Sequence, residues 1–156
     1  MAAIVRLDSG IYENNIANIK FATALENGTV VTLGALGSDG TYTATAPADV
    51  TTDVILFHAS VPMMYETEKS RESDFSLAIG KVGRAYYLKQ GDIVTITDDG
   101  INGTTVLNQY VIPANGATKM VPAANLTGAT TIAFKVLKKT ETLEGKAATV
   151  LEVVVT

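Results

Sequence analysis

The sequence predicts an all-β fold, a compact β-sandwich or β-barrel of about ten short strands with little helix. Three observations predict it. Threonine, valine and isoleucine abound; their branched Cβ suits a pleated, half-buried surface. Turn signals recur at Asn27-Gly28, Asp39-Gly40, Asp99-Gly100, Asn102-Gly103 and Asn115-Gly116, because both residue types tolerate positive φ. Two stretches are near copies, LENGTVVTL from Leu25 and LKQGDIVTI from Leu88. Each places an amide and a glycine before a β-branched run, a tight turn that launches a strand.

Strands are expected over residues 4–7, 19–24, 29–33, 41–46, 53–59, 84–89, 92–97, 105–112, 131–138 and 148–155. In the ninth, alternation puts Ile132, Phe134 and Val136 on one face. The segment 53–57 is apolar without alternation and reads as a central strand buried on both faces. Residues 8–18 are polar and Asn-rich, an extended arm or ordered loop. Residues 62–76 hold much of the charge and form a long connection, a solvated loop or a binding loop. Residues 113–128 read as a low-charge loop. The expected organisation is an N-terminal arm or edge strand at 1–18, then a single β domain at 19–156 with the charged loop at 62–76.

Composition narrows function. The 156 residues suffice for one core. Hydrophobic residues make up 47%, charged residues 18%, and mean hydropathy is +0.23, so some apolar surface is expected to be covered by a partner. A net charge of −4 argues against nucleic acid, whose phosphates need a basic footprint. Cysteine is absent, which excludes disulfides and thiolate metal sites. No signal peptide is legible in MAAIVRLDSG and no apolar run is long enough for a bilayer; cytosolic synthesis and no membrane partner are expected. The sequons at Asn27, Asn102 and Asn125 read as turn chemistry.

No catalytic set or cofactor site emerges. His58 is the one histidine; within an apolar strand it reads as a satisfied core residue, since a Ser-His-Asp triad or a zinc site needs placed partners. The run DDGING from Asp98 has a glycine where a calcium loop needs its third ligand and Gln109 where it needs a bidentate glutamate. GKVG from Gly80 lacks the ending of a phosphate loop. A glycosidase would need a carboxylate pair, and no spacing among Glu66, Asp92, Asp98 and Asp99 selects one. In Arg84-Ala-Tyr-Tyr-Leu88, alternation puts Arg84 and Tyr86 on one face, as an interface pair or an ordinary cross-strand pair.

Two blocks carry a resemblance. LENGTVVTLG from Leu25 is similar to the N-terminal signature of tailed-phage capsid decoration, or cement, proteins. GKVGRAYYLKQGDIVTITDD from Gly80 is similar to a second block of that group, and Met64-Tyr65-Glu66 and Asp74-Phe75 lie between them in the expected order. The resemblance spans roughly residues 12–116; its motifs are turn-and-strand motifs, so their order and spacing carry it. It implies a non-enzymatic virion protein on the outer capsid surface that binds the major capsid protein and stabilises junctions between capsomers. It further implies a homo-oligomer, a trimer before a monomer. An arm can add strands to a lattice through main-chain bonds, and the tentative interface is Ile4, Val5, Leu7, Ile11, Tyr12, Met63, Met64, Tyr65, Arg84 and Tyr86. The alternative is a base or adhesin domain of a phage fibre or tail that binds glycan or another virion protein.

Overall fold

The computed structural model describes residues 3–9, 16–60 and 75–156. It is almost entirely β, with 48% strand and 2% helix. The described residues form eleven strands: β1 Val5–Ser9, β2 Ile16–Phe21, β3 Thr29–Leu36, β4 Tyr42–Thr45, β5 Leu56–His58, β6 Gly83–Tyr86, β7 Ile93–Thr97, β8 Tyr110–Ile112, β9 Val121–Ala123, β10 Ala133–Leu143 and β11 Lys146–Val155. They form two layers. Strands β2-β4-β3-β5-β6 close into a five-stranded barrel, and β1-β7-β11-β10-β8-β9 form a six-stranded sheet. Among the strand pairs of the described residues, only β2–β4 is parallel. The expectation of a compact all-β fold is met, and one of the two sheets closes into a barrel.

The strand period of two explains how the layers meet. A barrel of five strands is narrow. Its interior takes Ala17, Ala44 and Ala85 beside Ile19, Val31 and Leu56. The alternate positions Val30, Phe57 and Tyr86 point outward and join Val94, Ile96, Phe134, Val136, Leu151 and Val153 of the sheet in a second apolar cluster. Strand β5 lies between β3 and β6, and all three of its residues are buried. It lacks alternation because it is covered on both faces. The rings of Phe57 and Phe134 lie 6.2 Å apart between centroids across this seam.

The twin stretches use one turn twice. Gly28 at φ 83° and Gly91 at φ 96° supply the left-handed step that feeds β3 and β7. They serve different layers: β3 belongs to the barrel and β7 to the sheet.

Several boundaries differ from expectation. The strand expected over 53–59 contracts to β5, because Asp53 closes a turn by accepting bonds from the Ala48 and Asp49 amides. The strand expected over 84–89 ends with β6 at Tyr86, ahead of the Gly91 turn. The strand expected over 105–112 survives only as β8; Asn108 at φ 65° breaks the run before it. Within the loop expected at 113–128 lies β9, paired to β8. Asp99-Gly100 is not a hairpin turn but part of a 3₁₀ turn, Asp98–Gly100. There a Cβ on Gly100 would come within 2.6 Å of the Ala3 Cβ.

Two-faced burial of β5 has a measurable consequence. Phe57→Ala is expected to cost about 3–5 kcal/mol in urea unfolding. Val54→Ala in the same apolar run is expected to stay within about 0.5 kcal/mol, because Val54 is 67% exposed.

Candidate functional site

The sequence puts Leu56, His58 and Ser60 at alternate positions, so His58 and Ser60 share a side of the chain. His58 is fully buried. Its Nδ1 lies 2.8 Å from the Glu26 carbonyl oxygen, which can only accept, so Nδ1 carries the proton. Its Nε2 therefore accepts from the Ser60 hydroxyl at 2.8 Å. The Ser60 oxygen in turn accepts the Arg84 backbone N–H at 3.0 Å. Asn27 completes the clamp: its Oδ1 accepts the Ser60 N–H at 2.8 Å and its amide donates to the Ser60 carbonyl at 2.9 Å. The network ties the turn before β3 to the end of β5 and to β6.

A serine bonded to an imidazole has the outline of a nucleophile and its base. The electrostatics are those of a structural bond. Burial holds the imidazole pKa down from 6.5 to about 4, against a smaller upward pull from the Glu26 carbonyl. No carboxylate faces Nδ1 to stabilise an imidazolium; a neutral carbonyl occupies that place. The expectation of a satisfied core histidine agrees with this geometry.

Ser60 also reaches a cavity of about 620 Å³ on the barrel's flank. Phe75 and Leu77 are buried in its wall. Asn18 and Arg84 are cross-strand partners on β2 and β6, and both line it with Ser76, Lys81 and Val82. Gly83 permits this arrangement, since a Cβ there would stand 2.5 Å from Leu77 Cδ2 and 2.7 Å from Ser60 Oγ. Its missing side chain lets the 75–82 segment lie against β6.

The expected interface residues scatter. Ile4 is buried in the chain's own core, 1% exposed, and is not presented to a partner. Val5 and Leu7 are partly buried against the same core, because β1 pairs with β7 within the sheet. Tyr86 faces outward from the barrel as alternation requires, yet the sheet covers it to 8% exposure. Arg84 on the same face remains exposed and lines the cavity. Ile11, Tyr12, Met63, Met64 and Tyr65 lie outside the described residues, as does most of the 62–76 loop. Ser60 and Asn18 were not singled out from sequence, and Lys81 and Val82 entered only within the GKVG run that fails as a phosphate loop; the alternation of His58 and Ser60 was the available signal for Ser60.

The acidic pair has a structural role. Asp99 Oδ1 accepts from Thr97 Oγ1 and Oδ2 from Lys146, both at 2.6 Å. Burial pushes the Asp99 pKa up, and these two partners outweigh it and hold the carboxyl low. Asp98 accepts from the Thr149 hydroxyl at 2.7 Å. Both carboxylates thus pin the 3₁₀ turn to the sheet. Among the described residues, no group of three or more His, Cys, Asp or Glu side chains gathers as for a metal ion. Asn27 is 6% exposed with its amide fully engaged, and Asn125 caps its own turn by accepting from Thr127; both are turn residues. Comparison with protein-family profiles, curated proteins and solved structures found no match to the chain.

The buried imidazole makes stability depend on pH. An unfolded histidine titrates near 6.5 and this one near 4, so the unfolded chain takes up the proton first as pH falls. The contribution is complete above about pH 6.5 and is lost between there and about pH 4, on the order of 3 kcal/mol. Asp39, Asp49 and Asp99, whose pKa values lie below 3.8 in the fold, act only at lower pH. Urea unfolding across this window is expected to show the decline, and His58→Gln to flatten it. An imidazole NMR titration centred near 6.5 in the folded protein would contradict the assignment.

Proposed function

We propose that the chain is a non-enzymatic structural virion protein that binds the outer surface of an assembled phage capsid, through its major capsid protein, and braces capsomer junctions. The observation that carries this reading is the ordered pair of blocks from Leu25 and Gly80. The first supplies β3 and the second supplies β6 and β7, so the resemblance falls on strands of both layers. A cement protein needs a rigid frame that keeps its shape under load, and two β layers joined by one apolar seam provide it.

The surface offers support of a second kind. Exposed apolar side chains flank β6: Ile79 and Val82 precede it, Tyr87 follows it, and Ile16 pairs beside its end. Exposed apolar side chains near one strand fit an interface. The Ser60–His58 pair, in which burial makes the imidazole a weak base and a backbone carbonyl occupies its Nδ1, supports a reading without nucleophilic catalysis.

Co-sedimentation is the test. The protein is expected to pellet with assembled capsids and to remain in the supernatant with unassembled coat subunits. Equal partition in both cases, or a clear hit on a glycan array without capsid binding, would overturn the proposal in favour of an adhesin.

A further inference from the structure

We infer that the cavity beside β6 is a docking site for an acidic segment of a partner protein, one that carries carboxylates among apolar side chains. The chain holds 16 acidic and 12 basic residues. Lys20, Lys119, Lys138 and Lys146 each engage a carboxylate. Among the described residues Lys89, Lys135 and Lys139 form no ion pair, and neither do Lys81 and Arg84; what sets Lys81 and Arg84 apart is that they share one cavity, this one. No carboxylate from a described residue lines it with them. Two positive charges therefore stand beside a low-dielectric wall made by Phe75 and Leu77. A carboxylate there is attracted more strongly than in open water.

The rest of the lining matches a peptide. Val82 at 54% exposure offers apolar contact. Asn18 and Ser76 supply side-chain hydrogen-bonding groups for a main chain. At about 620 Å³ the cavity has room for more than one side chain. The barrel is closed, so no free strand edge exists there for β-addition, and recognition falls to side chains. A saccharide is the poorer fit: among the described residues Phe75 is the one aromatic of the lining, and at 6% exposure it offers no open ring face for stacking.

The chemistry is independent of whether the partner is a capsid, and so is its test. The full chain, labelled with ¹⁵N, is titrated with a capped hexapeptide alternating leucine and glutamate. Its counterpart with lysine for glutamate, 3′-sialyllactose and inorganic phosphate are titrated in parallel. The acidic peptide alone is expected to shift the amides of Asn18, Ser76, Ala78, Val82 and Arg84, and added salt to weaken it. The double variant Lys81→Glu, Arg84→Glu is expected to bind about tenfold or more weakly with unchanged thermal unfolding, since both side chains are exposed. Absence of shifts at millimolar peptide overturns the inference. So do shifts elsewhere on the chain, equal binding of the lysine peptide, undiminished binding by the variant, or the same amides answering only to sialyllactose or phosphate. Failure of capsid co-sedimentation leaves this titration unaffected.

Discussion

The whole arrangement depends on one strand being buried on both faces. Leu56 fills the barrel and Phe57 fills the space between barrel and sheet. Neither layer is complete without that second face. The barrel's outer wall carries Val30, Phe57 and Tyr86, which in isolation would meet water. The sheet's inner face carries Phe134, Val136, Leu151 and Val153, which need the same cover. Burial of each such side chain is worth about 1.5–3 kcal/mol, so the seam holds the layers in one register. His58 is the polar member of the same strand. With no water to bond, it takes its partners from Glu26 and Ser60, which fixes both its tautomer and the turn it faces.

The strands legible from sequence were those with a strong local signal. β10 alternates, β3 and β7 follow glycine turns, and β5 lies in an apolar run that ends at His58. The strand missed entirely, β9, is three residues long and contains Pro122. Proline cannot donate to a ladder, and β9 tolerates it by lying at the sheet's edge. Edge position is a tertiary fact that local pattern does not encode. The hairpin between β10 and β11 turns on Glu144 and Gly145, at φ 50° and 78°, a primed turn without the usual Asn or Asp.

The candidate site was less legible than the fold, and for a different reason. Alternation correctly put Arg84 and Tyr86 on one face, but it could not say that the sheet would cover Tyr86 and leave Arg84 open. The cavity joins Asn18, Ser60 and the 76–84 segment, which the sequence keeps far apart. Gly83 closed a run that merely failed as a phosphate loop; its role is to let Leu77 and Ser60 crowd the backbone. Such juxtapositions arise only once the barrel closes.

The order of strands along the chain dictates an order of assembly. All barrel strands lie between Ile16 and Tyr86, so the barrel's pairings are available while the C-terminal half is still being synthesised. The sheet is different. Ile4 bonds to Thr97 across 93 residues, and β7 finds its second partner only in β11, which ends at Val155. Long-range pairings of this kind are slow to form. A barrel closed before β11 is available would leave Val30, Phe57 and Tyr86 on its outer wall without their cover.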